Sequence, residues 1–169
     1  MFTDVVEACK KYAFEKSDYP LIFSIENHCS IEQQDRMAEH LVSILGDVLY
    51  QTPINQDEEW LPSPEALMRK ILIKAKRLPE DATDGDDEAD ADLDESEDER
   101  DEARKKKPPK ISKKLSDLVN YIHAVHFHGF NDPGAKFFHM SSFGEKKTKR
   151  FLAEKGTEFV KYNTKQISR

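Results

Sequence analysis

The stretch LIFSIE at residues 21–26 is a nearly continuous apolar run closed by a single acid. A run of that kind reads as a strand covered on both faces, and such strands belong to parallel sheets. KILIKAK at residues 70–76 repeats the pattern, its apolar run ending in lysines. Between the two, Ser30 and Gln33 form an S-x-x-Q helix start, and Met37, Leu41, Ile44 and Val48 then recur at helical spacing, with Gly46 near the stop. On the amino-terminal side Asp4 and Glu7 resemble a capping box. Val5, Cys9 and Tyr12 share one face of a helix reaching about residue 14, before Ser17, Asp18 and Pro20 break it. The order is helix, strand, helix, strand, as an α/β parallel architecture requires.

Working outward on the other side, residues 52–64 are rich in turn formers and a short helical start follows at Glu65. Residues 118–130 read as a third strand, with Val119, Tyr121, Val125 and Phe127 alternating against His126 and His128. Gly129-Phe130-Asn131-Asp132-Pro133-Gly134 ends it as a turn. Ser141 and Ser142 introduce a basic helix containing Phe151, Leu152 and Ala153, Gly156 punctuates it, and TEFVKYN at 157–163 starts another. QISR at 166–169 is where a further strand is expected to begin. Three strands and part of a fourth do not close a sheet, so the chain is expected to be a piece of a larger one.

The 169 residues are 37% hydrophobic and 35% charged, enough for one modest core. No stretch approaches the roughly 20 apolar residues of a membrane span, and the amino terminus lacks the basic start and apolar core of a signal peptide. Cys9 and Cys29 fit no metal or redox spacing, so reduced thiols in a cytosolic setting are expected. The net charge of −7 hides a split. Residues 80–102 hold fifteen acidic side chains against Arg100 alone, a local −14, while the other 146 residues carry 25 basic and 18 acidic ones, a body of +7. The acidic tract cannot bury enough apolar surface to fold and reads as a disordered linker over 79–111. Asp90, Asp92 and Asp94 mimic the first ligands of a calcium loop. Glu95 stands where that loop needs glycine, however, and Asp101 where a bidentate Glu is usual. The basic body is attracted to phosphates and anionic surfaces.

In parallel α/β folds the side chains at the carboxyl ends of the strands face the site crevice. Glu26 closes the first strand on the face of Ile22 and Ser24, and Lys74 and Lys76, two apart, project from one face of the second. A carboxylate is an oxygen ligand for a hard cation and two ammonium groups suit phosphates; solvated strand ends or simple ion pairs are the ordinary alternative.

YPLIFSIENHCS, MAEHLVSILGD, LPSPEALMRKILIKAKRLP, LSDLVNYIHAVHFHGF, MSSFGEKK and EFVKYNTKQISR together resemble the eukaryotic phosphoinositide-specific phospholipase C family. The likeness covers nearly the whole chain in order. It implies a partial TIM-type (β/α) barrel with the later X region over 1–78, the variable X–Y linker over 79–111 and the start of the Y region over 112–169. It further implies that Glu26 binds a catalytic Ca2+ and is a candidate base toward the inositol 2-hydroxyl. By the same likeness Lys74 and Lys76 hold ring phosphates, and Ser142 and Arg169 contact a ring phosphate. The family's two catalytic histidines, its other calcium ligands and a tyrosine after the ISR arginine are absent from these residues.

The resemblance thus implies calcium-dependent cleavage of phosphatidylinositol 4,5-bisphosphate to inositol trisphosphate and diacylglycerol, at the inner face of the plasma membrane, by a peripheral and otherwise cytoplasmic protein. The 169 residues alone are expected to be inactive. The alternative is a catalytically inactive phospholipase-C-like scaffold. A short linker without inserted domains speaks against the gamma class and is compatible with a delta-like one. Removing residues 83–102 from the whole enzyme is expected to raise basal activity on anionic vesicles.

The remaining conspicuous residues have plainer readings. His123, His126 and His128 suggest zinc, but in an extended segment His123 points away from the other two, which favours structural roles. His28 is expected to position or cap a loop, His139 to lie at the surface or pack, and Trp60 to pack. The lysine runs 105–107 and 146–149 lack the aromatic interleaving of a nucleic-acid site and read as solvated faces, with attraction to anionic lipid second.

Overall fold

The computed structural model describes residues 1–55, 57–79 and 110–167, with side chains as far as Asn163. The expected linker falls almost wholly outside them, as does the calcium-loop pattern at residues 90–101. The chain runs α1 (Phe2–Tyr12), β1 (Leu21–Ser24), α2 (Ile31–Leu45) and a 3-10 turn (Gly46–Val48), followed by β2 (Ile71–Ala75), α3 (Lys113–Ser116), β3 (Ile122–Ala124), β4 (His139–Met140), α4 (Glu145–Lys155) and α5 (Thr157–Ile167). The four strands form one parallel sheet in the order β1-β2-β3-β4, so the expected α/β parallel architecture is what is found. No helix among the described residues is long and apolar enough to cross a membrane.

Each face of β2 has its own core. Ile71, Ile73 and Ala75 pack with Val6, Ala38, Leu41, Leu45, Leu49, Leu115, Leu118 and Val119, between the sheet and the helices. Leu72 joins Leu67, Tyr121 and Ile122 on the opposite face, with Tyr50, Ile54, Leu61 and Phe137 around them. This two-sided burial is why the strand reads as a continuous apolar run. The starts of β1 and β2 are tied together. Arg69, in a left-handed conformation with φ 57°, donates its N–H to the Asp18 carbonyl at 2.7 Å, pairs with the Asp18 carboxylate and lies over the Phe14 ring.

α2 begins where expected, with Ser30 accepting from the Gln33 N–H and the Gln33 side chain accepting from the Ser30 N–H. Gly46, at φ 56°, ends it. Other expectations need correction. In α1 the buried residue is Val6, with Ala13 two turns on just past the helix end, while Val5 is 61% exposed and Tyr12 is exposed too; of the stripe read from the sequence only Cys9 is half-buried, and its other two members give way to their carboxyl-side neighbours. The helix starts at Phe2, where the terminal ammonium pairs with Asp4 at 2.8 Å. No helix forms at Glu65, only a succession of turns to Lys70. The third strand is Ile122–Ala124 rather than 118–130. Leu118 and Val119 continue the helical turn of α3 and bury against α2 at helical spacing. The fourth strand is His139–Met140, and Gln166 and Ile167 lie in the last turn of α5 instead of starting a strand. Ser141 and Ser142 do not begin α4; Gly144 is its cap, because Phe143 is drawn into an aromatic cluster. Trp60 is 58% exposed and does not pack. The Lys110 carbonyl accepts from Gln34, and Ile111 is buried.

Candidate active site at the carboxyl ends of the strands

Parallel pairing sets Ser24 of β1 beside Lys74 of β2, and Lys74 beside Ile122 of β3. The Ile25 N–H, donating to the Lys74 carbonyl at 2.9 Å, carries the pairing one residue past β1. Glu26 and Lys76 therefore follow at neighbouring strand ends. Along β1 the side chains alternate, Leu21 and Phe23 half-buried against the helix-side core, Ile22 and Ser24 exposed on the other face. Lys74 lies on the Leu72 face, with its stem half-buried and its head at the strand end.

The ammonium of Lys74 donates to Ser142 Oγ at 3.3 Å. Ser142 follows β4, and Phe143 beside it inserts into a cluster in which its ring stands 5.0 Å from Phe127 and 5.6 Å from both Phe151 and Phe159. Phe130 and Tyr162 complete the cluster, edge to face, and burial holds the Tyr162 phenol above its usual range. The hydroxyl is thus fixed from behind by packing between the β3 loop and the last two helices.

Glu26 is 87% exposed, and its Oε1 lies 3.8 Å from His28 Nε2. The backbone on its far side is shaped by Asn27, whose Oδ1 accepts the Cys29 N–H at 2.8 Å. Glu26, Lys74, Lys76 and Ser142 all lie at carboxyl ends of the one sheet, and Lys74 and Ser142 touch. Arg169 falls outside the described residues. Among the described residues no group of three or more His, Cys, Asp and Glu is placed to hold a metal ion. A calcium ion takes about six to eight oxygens. Glu26 fits the chemistry of one hard ligand, and the described residues do not supply the number.

Two features escaped the sequence reading. The Tyr121 hydroxyl donates to Glu58 Oε2 at 2.9 Å and accepts from the Tyr50 hydroxyl at 3.3 Å, tying the 52–64 turns to the start of β3. Burial, then those two bonds, push the Tyr121 phenol far above its ordinary range. His123 packs its ring 4.6 Å from Phe138, and its Nε2 is buried without a hydrogen-bond partner. Burial, with Arg77 and His139 nearby, lowers its pKa to about 4. The expected structural role for His123 agrees with this placement. His126 and His128 stack edge to face at 5.3 Å, and His139 Nδ1 accepts the Lys136 N–H. The only signal for either feature was an aromatic or a histidine inside an apolar run.

Comparison with known proteins bears on the same residues. Residues 1–77 match the family model for the phosphatidylinositol-specific phospholipase C X domain, and residues 115–169 that for the Y domain. The chain is 42% identical over its whole length to the rat 1-phosphatidylinositol 4,5-bisphosphate phosphodiesterase delta-1 and covers 24% of that protein. It is 38% identical, again over its whole length, to the mouse inactive phospholipase C-like protein 2, of which it covers 16%. The crystal structure of S. officinalis PLC21 superposes with a TM-score of 0.74 at 34% identity, over 96% of this chain and 21% of that one. The chain thus spans about a quarter or less of these relatives, and its sheet corresponds to part of their barrel-type catalytic domain. With two adjoining domain models matched in order across the two halves of its sheet, the chain belongs to the phosphatidylinositol-specific phospholipase C family.

Proposed function

We propose that this chain supplies the phosphate-binding wall of a phosphoinositide phosphodiesterase that cleaves phosphatidylinositol 4,5-bisphosphate to inositol trisphosphate and diacylglycerol. The observation that carries the reading is the Lys74–Ser142 contact, which joins one strand end from each matched domain. Lys74 and Lys76 offset the charge of the ring phosphates, the Ser142 hydroxyl donates to a phosphate oxygen, and Arg169 adds a bidentate fork to the same group. Glu26 is the candidate base, taking the proton of the inositol 2-hydroxyl as that oxygen attacks phosphorus and the diacylglycerol oxygen departs. The acid that protonates the departing oxygen, and that as a base then activates the water opening the resulting cyclic phosphate to inositol trisphosphate, comes from outside these residues. Calcium, with Glu26 as one ligand, would lower the pKa of the attacking hydroxyl and stabilise charge at phosphorus. The protein acts on the cytoplasmic face of an anionic membrane, reaching it as a peripheral protein in lipid signalling.

The test is hydrolysis of phosphatidylinositol 4,5-bisphosphate in mixed vesicles by the whole protein that carries this segment, with and without a calcium chelator. Chelator-sensitive release of inositol trisphosphate is expected, and its loss in Lys74→Ala. The second reading, a phosphoinositide-binding scaffold, is favoured by the equally complete match to the mouse inactive protein. Vesicle binding that depends on Lys74 without any hydrolysis would establish it instead.

A further inference from the structure

Gln34, in the first turn of α2, is 2% exposed. A buried primary amide needs partners for its two donors and its oxygen. Its Nε2 donates to the Cys29 carbonyl at 3.0 Å and to the Lys110 carbonyl at 2.9 Å, and its Oε1 accepts the Ser112 N–H at 2.9 Å. One amide thus joins the loop that carries Glu26 to a segment more than seventy residues further along the chain. Asp35 reinforces the junction by accepting from the Ser112 hydroxyl. On the other flank Leu78 is held by a different group, its N–H donating to Ser116 Oγ at 2.9 Å.

The loop from Glu26 to Ser30 is short and its side chains are largely exposed, so packing does little to fix it. Its geometry rests on the Ile25 N–H bonded to Lys74, the Asn27 turn, and the Cys29 carbonyl bonded to Gln34. We propose that Gln34 is a positioning residue for Glu26. Its amide holds the Glu26–Cys29 loop in place and makes that placement depend on the docking of Lys110–Ser112. The role in turnover rests on the function proposed above; the positioning itself does not.

The test compares hydrogen exchange by mass spectrometry in the whole protein and its Gln34→Met variant, which keeps the volume and loses all three bonds. Ser116→Ala is the control, since it cuts the other anchor and leaves the Glu26 loop alone. Exchange in the peptide covering residues 27–30 is expected to accelerate by about tenfold in Gln34→Met, and to stay at the wild-type rate in Ser116→Ala. Unchanged exchange in Gln34→Met, or equal acceleration in both variants, overturns the proposal. If Gln34→Met does not fold, Gln34→Asn, whose amide sits one methylene short, is read by the same criterion. In turnover, kcat of the Gln34 variant falls about tenfold or more while KM stays within about twofold, as displacement of a reacting group predicts. A wild-type protein without hydrolysis sinks the functional reading and leaves the exchange experiment to decide the positioning role.

Discussion

Lys74 Nζ stands 3.3 Å from Ser142 Oγ, although 68 residues separate them in the chain. A lysine head at a parallel strand end has the sheet's carbonyl ends and open solvent around it, and its choice of a hydroxyl rather than a carboxylate matters. A carboxylate partner would neutralise it, whereas the hydroxyl leaves its charge available to a phosphate. In the phosphate-binding wall proposed here the two groups act on one anion. Their removal is therefore not additive. Lys74→Ala and Ser142→Ala are each expected to weaken binding to phosphatidylinositol 4,5-bisphosphate vesicles. The double variant should lose less than the two losses together, with a coupling of about 0.5–2 kcal/mol. Strict additivity in a vesicle sedimentation assay would remove the shared-anion reading.

His123 makes a pH-dependent contribution to stability with a definite sign. Its folded pKa is lowered to about 4 by burial first, then by Arg77 and His139, while the unfolded side chain titrates near 6.5. The unfolded chain therefore binds the proton more readily. The contribution is whole above pH 6.5, falls as pH drops from there to about 4, and does not change below. The ring is partly exposed, so the total is about 1–2 kcal/mol. His123→Phe is expected to flatten this part of the unfolding midpoint against pH profile between 6.5 and 4. An unaltered slope would mean that the ring charges freely in the folded state.

The contrast between what was and was not legible follows from where burial is two-sided. Ile71, Leu72 and Ile73 are buried on both faces of the sheet, so β2 was readable from the run alone, and Lys74 and Lys76 were readable as its end. α2 was readable because Ser30 and Gln33 cap it locally. β3 was not. Leu118 and Val119 are as apolar as strand residues, but they bury in a helical turn against α2, and no local residue distinguishes that from an extended run. The two-residue β4 is too short for any period, and its place depends on Met140 and Val125 meeting across the sheet. The Lys74–Ser142 distance was likewise invisible, because pairing order is tertiary; only family resemblance placed Ser142 beside a phosphate. Gln33 was legible as a cap, while its neighbour Gln34 looked like one more polar helix residue until its three partners were in place.

Phe143 links packing to placement. It follows Ser142 directly and packs edge to face with Phe127 at 5.0 Å. Phe143→Ala is expected to cost about 2 kcal/mol or more, short of the ~3–5 kcal/mol of a fully buried phenylalanine because the ring is only half-buried. Phosphoinositide binding should fall along with it, since Ser142 loses its backing. Phe143→Leu restores most of the stability. If binding returns in step with stability, packing alone fixes the hydroxyl; full binding in Phe143→Ala would show that Ser142 does not depend on the cluster.

Tyr121 is the residue through which the 52–64 turns reach the sheet. Its hydroxyl is interposed between Tyr50 and Glu58, and it is buried in the second core with Leu72 and Ile122. Tyr121→Phe keeps the ring, which lies 5.3 Å from that of Tyr50, and strands the half-buried Glu58 carboxylate and the Tyr50 hydroxyl. The loss of a bond to a charged acceptor is expected to cost about 1.5–3 kcal/mol. Glu58→Gln retains an acceptor and is expected to cost less. The measurement is the urea midpoint of both single variants and the double. Because Glu58 has nothing to receive once the hydroxyl is gone, the second substitution should be nearly neutral in the Tyr121→Phe background. A full additive cost for Glu58→Gln there would place the carboxylate's main partner elsewhere and detach the 52–64 turns from β3.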